Sequence, residues 1–170
     1  MEEKIQLAVK AITEQFGATA GEFRGETTLF IPAEKIVEIF KILRDEFGFE
    51  SLVLETAVDY GVGKTPRFNM VYALNTMSTH QYLNLRAPVN DNPAEIDSVE
   101  SVYPGANWRE REIWDLFGIR FKGHSDLRRI MMPPNWEGHP LRKDYPLGYE
   151  EVQYTFNYEE IKLKKPRGER

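Results

Sequence analysis

Hydrophobic positions recur along this chain with two periods, and each change of period marks a new element. Ile5, Ala8, Val9, Ile12 and Phe16 fall at helical spacing and Gly17 follows them, so an amphipathic helix is predicted over residues 3–16. The stretch "GEFRGETTLFIPA" reads as a short hairpin turning near Gly25 and Glu26. In "AEKIVEIFKILRDEFG" the face formed by Ile36, Ile39, Phe40, Leu43 and Phe47 defines a second helix, stopped by Gly48. The period then shortens to two. "SLVLETAVDY" alternates at Leu52, Leu54, Thr56 and Val58, and "RFNMVYALN" alternates at Phe68, Met70, Tyr72 and Leu74. "HQYLNLRAPV" supplies a third strand, ending at the turn "NDNP". A short helix is predicted from Pro93 to Val102, with Pro104-Gly105 closing it, and a last one from Asn107 to Phe117. The order helix, two strands, helix, three strands implies an α+β fold. It is expected as a two-layer sandwich of a mixed or antiparallel sheet with helices on one face.

Beyond Gly118 both periods fade. The chain therefore divides into an α+β domain, residues 1–122, and an extended C-terminal interaction arm, residues 123–170. The stretch "WEGHPLRKDYPLGYEEVQYTFNY", residues 136–158, holds six aromatic residues without a helical or strand period. Prolines at 133, 134, 140 and 146 block regular ladders and favour an extended path, which leaves backbone amides in need of a partner. Aromatic and arginine anchors suit a binding arm, so the expectation is an arm ordered by docking on a second polypeptide.

Composition narrows the field. A length of 170 residues fits one domain with an appended arm, and 41% hydrophobic with 29% charged content is enough for a real core. No run of about 18 apolar residues is present, so no span of a membrane is predicted. The start, "MEEKIQLAVKAITEQFG", is acidic and amphipathic, unlike a secretory or organelle leader. Cysteine is absent. That excludes disulfides, thiolate zinc sites and cysteine-held iron–sulfur clusters from the chain, and it fits a reducing, cytoplasmic setting. The net charge of -5 conceals an asymmetry, since acidic side chains outnumber basic ones two to one over residues 1–60 while basic ones predominate over residues 120–170. Such polarity suits nucleic acid, an anionic membrane surface or a protein partner; the acidic pI of about 5.3 argues against the first.

Candidate chemistry is sparse. "GVGKT", residues 61–65, lacks the glycine a phosphate loop needs at position 58, which is Val58, and Pro66 with a strand follows it instead of a helix. It reads as a hairpin loop. His80 is read as a surface residue on a strand, and His124 and His139 follow no metal-ligand spacing. No catalytic residue is predicted. The dense feature is "NWREREIWDLFGIRFKGHSDLRRIMMP", residues 107–133, in which Glu110 lines up with Ile113, Trp114 and Phe117 while Arg111 meets Asp115 four residues on. The charges at Arg109, Glu110, Arg111 and Glu112 cannot all face water while the neighbouring aromatics all face a core. Some of them belong at a partly buried seam, where each needs a partner. A solvated helix with intrahelical pairs and an interface both satisfy that pattern.

The run Glu110-Arg111-Glu112, Asp115-Leu116-Phe117, His124, Arg128 and Ile130-Met131, at these spacings, resembles the pattern of the respiratory complex I 30 kDa subunit family, the C subunit of NADH-quinone oxidoreductase. "PPNWEGHPLRKDYPLG", residues 133–148, resembles the block that follows in that family, so residues 107–149 carry the likeness. Ser125 departs from it, where a proline usually follows the histidine. The resemblance implies a non-catalytic scaffold subunit in the peripheral arm of a proton-translocating NADH-quinone oxidoreductase. It would pack on the 49 kDa-type D subunit, near the B and I subunits, at the cytoplasmic face of a prokaryotic cell membrane. FMN, iron–sulfur clusters and quinone would be bound by partner subunits and no cofactor by this chain, which alone would have no activity. By the same resemblance the subunit-interface residues are Arg111, Asp115, His124, Arg128, Arg129, Trp136, His139, Leu141, Arg142, Lys143, Asp144 and Tyr145. A related membrane-bound hydrogenase or non-NADH quinone-reducing complex stays open, because other chains carry the electron input. Two readings of another kind are a free-standing enzyme using Glu110, Glu112 and His124 as acid–base groups, and a nucleic-acid adaptor using the basic tail.

Overall fold

A computed structural model describes residues 2–146 of the chain. Helix α1 (Glu2–Phe16) stops at Gly17, whose φ of 68° is the left-handed conformation that ends many helices. Strands β1 (Thr19–Phe23) and β2 (Glu26–Phe30) form the hairpin, and a 3-10 turn at Ala33–Lys35 leads into α2 (Ile36–Asp45). Helix α2 buries Ile36, Ile39, Phe40 and Leu43, the stripe its spacing dictates. Strands β3 (Ser51–Asp59), β4 (Phe68–Asn75) and β5 (Tyr82–Val89) pair antiparallel in sequence, and β5 lies parallel to β2. The result is a mixed five-stranded sheet in the order β1-β2-β5-β4-β3. Its inner face carries Leu29, Phe68, Met70, Tyr72, Leu83 and Leu85, all without solvent exposure, and the helices gather there. Phe40 of α2 meets the Tyr72 ring edge-on at 5.0 Å, and the Tyr103 hydroxyl donates to the Phe49 carbonyl at 2.7 Å.

Three expectations fail here. Residues 93–102 are not a helix. Residues Glu95–Asp97 form β6, which pairs in parallel with β7 (Arg120–Lys122) as a separate two-stranded sheet. The triplet Glu95, Ile96, Asp97 has a strand period, with only Ile96 buried, and the Val99 N–H is taken by the Glu110 carboxylate. In β3 the inward face is the opposite of the one the alternation assigns. Leu54 and Val58 are exposed, whereas Glu55, Ala57 and Asp59 point inward. A register irregularity between Leu52 and Leu54 shifts the phase by one residue, and a shift of one flips every side chain to the other face. The "GVGKT" segment connects β3 to β4 as a loop, with Gly61 and Gly63 at φ of 99° and 81°. His80 is exposed, as expected, but lies in the turn before β5 instead of on the strand itself. The last helix, α3 (Ala106–Phe117), lies across β3.

Candidate interaction site

Charged residues of α3 and of the sheet's edge settle into three polar clusters, each joining the helix or sheet to residues 98–100 or 124–145. Near its N-terminus Glu110 has no solvent exposure, and its carboxylate accepts hydrogen bonds from the Ser98 hydroxyl and, at 2.7 Å, from the Val99 N–H. Burial outweighs those bonds and raises its pKa to about 7. His124 bonds the Asn107 carbonyl through Nε2 at 3.0 Å, while its Nδ1 accepts the Asp126 N–H. The Asn107 carbonyl can only accept and the Asp126 N–H can only donate, so Nε2 is the donor and Nδ1 the acceptor. Ser125 donates both its N–H and its hydroxyl to Glu100. With Asn107 these bonds hold the Glu100 carboxyl at about 2, against partial burial.

The second cluster centres on Asp115. This carboxylate is wholly buried; Oδ1 pairs with the Arg129 guanidinium, and Oδ2 accepts the N–H groups of Ile130, Met131 and Met132 at 3.0, 2.8 and 2.8 Å. Burial alone would raise the Asp115 pKa, but the three amides and Arg129 hold it below the ordinary range. Arg129 also reaches the Trp136 and Gly138 carbonyls at 2.8 and 3.1 Å, so one guanidinium ties the helix to residues 124–145, which run along it as a strap.

The same strap closes the C-terminal end of α3, where a helix leaves carbonyls without intrahelical donors. The Gly118 N–H takes the Trp114 carbonyl, the His139 Nδ1–H takes Asp115, the Leu141 N–H takes Leu116, and Arg142 approaches Phe117 at 3.5 Å. Burial, with Arg129 and Arg142 nearby, lowers the His139 pKa, and its ring lies so close to Gly118 that a Cβ there would sit 2.6 Å from Cδ2. Two arginines at this end also suit the negative pole of the helix.

At the sheet's edge a third cluster is built on Arg67, only 1% exposed. Its guanidinium bonds Asp59 through two nitrogens at 3.1 Å, Asp91 at 3.0 Å and Asp144 at 2.7 Å. Arg142 joins Asp91 and Asp144, and the Lys143 N–H donates to Asp59 at 2.8 Å. Burial would raise Asp59, but Arg67 with the Lys143 and Gly61 amides brings it to about 2. Asp59, Arg67 and Asp91 are absent from the sequence expectation. Their only trace is one cation and two acids at strand ends around the "GVGKTP" loop, far in sequence from the strap.

The twelve candidate interface residues thus lie in one connected region. Their expected partners differ in one case, because Arg111 does not pair with Asp115. Arg111 donates to the Arg128 and Arg129 carbonyls and stacks over Trp108 at 5.0 Å, leaving Asp115 to Arg129. Arg128 pairs with Asp126 at the surface, and the Tyr145 ring covers Gly138, where a Cβ would come within 2.8 Å. The sequence pattern predicts an arm, residues 123–170, ordered by docking on a second polypeptide. Residues 124–145 instead find acceptors on α3 and the sheet of their own chain, because α3 ends in unpaired carbonyls and carries a buried acid that needs donors. The rest of the aromatic stretch, residues 147–158, and the basic end of the chain lie outside the described residues. Glu110 and His124 lie 3.9 Å apart, but Glu112 does not join them. Glu112 is exposed, Glu110 is occupied by Ser98 and Val99, and the open groove beside Trp114 and Phe121 contains His124 but neither acid.

Comparison with known proteins gives this geometry a context. The model of the family described as respiratory-chain NADH dehydrogenase, 30 Kd subunit, matches residues 29–151, reaching well beyond the C-terminal block into the α+β domain. The NADH-quinone oxidoreductase C subunit of Roseiflexus sp. (strain RS-1) is 44% identical over 149 residues, covering 86% of this chain and 85% of that protein. Its counterpart in Geotalea uraniireducens (strain Rf4) is 48% identical over 143 residues, covering 82% and 87%. Among solved structures, the trypsin-resistant fragment of Nqo5 (1-134) superposes with a TM-score of 0.65 at 25% identity, over 73% of this chain and 99% of the fragment. A component of the membrane-bound sulfane sulfur reductase, an archaeal respiratory membrane complex, shares the fold with a TM-score of 0.67 at 24% identity, over 99% and 97%.

Proposed function

Since the chain belongs to the family of the 30 kDa subunit of respiratory-chain NADH dehydrogenase, we propose that it works as the C subunit, a non-catalytic scaffold in the peripheral arm of a proton-translocating NADH-quinone oxidoreductase. In this reading it seats on the 49 kDa-type D subunit, near the B and I subunits, at the cytoplasmic face of the membrane. FMN, iron–sulfur clusters and quinone belong to the neighbours. A chain without cysteine suits that division of labour. Among the described residues no helix is long and apolar enough to cross a membrane, so its attachment would run through partners.

The observation that carries the reading is the self-clasped strap. The amides of Ile130, Met131, Met132, Leu141 and Lys143 and the Arg129 guanidinium bond to α3 and the sheet, while Arg128, Met131, Leu141 and Lys143 side chains face outward, with Met131 and Leu141 61% and 51% exposed. Apolar side chains held on a rigid frame lose little entropy on docking, which is what a partner-binding surface needs. Replacing Met131 and Leu141 together by aspartate tests this. Native purification from solubilised membranes, followed by mass spectrometry, should recover the variant without partner subunits while its own melting is unchanged. Full recovery of partners would rule out docking through the strap. The shared fold of the archaeal sulfur-reducing complex favours a second reading, the same scaffold in a related non-NADH assembly. Co-purification with hydrogenase-like or NADH-binding chains decides between the two.

A further inference from the structure

Glu55 of β3 stands directly opposite Tyr72 of β4 in the ladder. Cross-strand partners of this kind have Cβ atoms about 5 Å apart. Glu55 is 6% exposed and Tyr72 fully buried, yet neither carboxylate oxygen of Glu55 nor the Tyr72 hydroxyl has a hydrogen-bond partner among the described residues. Buried polar atoms of native proteins are paired as a rule, so three together call for a ligand. Helix α3 lies over this point and faces it with two charged groups. Arg109 is bonded to the Val53 carbonyl, and Glu110 receives Ser98 and Val99. Behind Glu110 stand Glu100, engaged with Ser125 and Asn107, and His124, 3.9 Å from Oε2. None of these groups gives Glu55 a hydrogen bond.

Two carboxylates facing each other away from water cannot both stay ionised. The hydrogen bonds show which one keeps the charge. Glu110 has two donors aimed at it; Glu55 has none. We propose that Glu55, Tyr72 and Glu110 form a closed proton-binding site beneath α3, in which Glu55 is a neutral carboxylic acid at physiological pH and shares its proton with Glu110 through bound water. Water is the ligand this set fits, because it can accept the Glu55 and Tyr72 protons and donate to the Glu110 carboxylate. Burial and then the Glu110 charge raise the Glu55 pKa far above its ordinary value, and burial with both acids does the same to Tyr72. This site does not depend on the assembly role, and it would persist if that role were refuted.

Infrared spectroscopy of the full chain in light and heavy water, about two pH units above the Glu110 pKa of about 7 so that Glu110 is ionised, tests it. The expected result is the carbonyl stretch of one protonated carboxylic acid, shifted by deuteration, absent from Glu55→Gln, retained in Glu110→Gln and moved in frequency by Tyr72→Phe. The wild-type spectrum carries the test on its own should Glu55→Gln fail to fold. A wild-type spectrum without that band overturns the proposal. So does a band that survives Glu55→Gln, disappears in Glu110→Gln or ignores Tyr72→Phe.

Discussion

Replacing Asp115 by alanine strikes the point where helix and strap are joined. The substitution removes the acceptor of three backbone amides and the carboxylate partner of Arg129 in one step. An amide left buried without an acceptor costs about 1–3 kcal/mol, and breaking a buried ion pair on one side costs about 3–5 kcal/mol. The two losses overlap, because the strap can swing outward and let water reach the amides. Arg129 also keeps the Trp136 and Gly138 carbonyls and a side chain 15% exposed. We therefore expect a loss of about 4 kcal/mol, near the middle of the one-sided ion-pair range. Urea unfolding of the full chain reads this directly, since a slope of about 2 kcal/mol per molar turns it into a midpoint lowered by about 2 M. Asp115→Asn keeps one oxygen but turns an amide donor toward other donors, so it should fall between wild type and alanine. A midpoint within about 0.5 M of wild type for Asp115→Ala would refute the view that this carboxylate anchors the strap.

Arg67→Met leaves Asp59 buried with only the Lys143 and Gly61 amides, so a loss of about 3–5 kcal/mol is expected in the same unfolding assay. Asp144→Asn should cost under about 1 kcal/mol, because that side chain is 40% exposed. Gly118→Ala must hold alanine at a φ of 75°, a strain of about 1–2 kcal/mol, and must also push His139 away. It should therefore lower the melting temperature and speed amide exchange at Leu141. Stability against pH has two limbs of opposite sign. Asp59 and Glu100, both at about 2, with Asp115 and Asp144 held below their ordinary values, contribute fully above about pH 4.5 and lose that contribution as pH falls toward 2. Glu110, raised to about 7, contributes fully below its ordinary 4.5 and loses that contribution as pH rises through 7. Melting curves should peak in mildly acidic buffer, and stability still climbing past neutrality would contradict these assignments.

The parts of the fold visible in the sequence are those written as long, unbroken periods. α2 and β4 put their apolar residues where the spacing says, because nothing competes with burial there. β3 misleads because two of its inward positions are acids, and a bulge turns the phase. Glu55 and Asp59 look like solvent-facing residues until Tyr72 is placed opposite the first and the Arg67 guanidinium is bonded to the second. β6 and β7 are three residues each and pair across more than twenty intervening positions, too short for a period and too distant for a turn signal. The candidate site is legible by residue type and spacing, yet its pairing is not. Four-residue spacing suggests Arg111 with Asp115, whereas the unpaired carbonyls at the end of α3 draw the strap back and give Asp115 to Arg129. Local spacing carries no information about which end of a helix a later segment will cap.

Amide hydrogen exchange on the isolated full-length chain tests the central claim most directly. If the strap is held by its own helix, the amides of Ile130, Met131, Met132 and Leu141 should be protected without any partner, and the protection should vanish in Asp115→Ala. Exchange at those four amides as fast as in an unstructured peptide, slowing only when a neighbouring subunit is added, would contradict it.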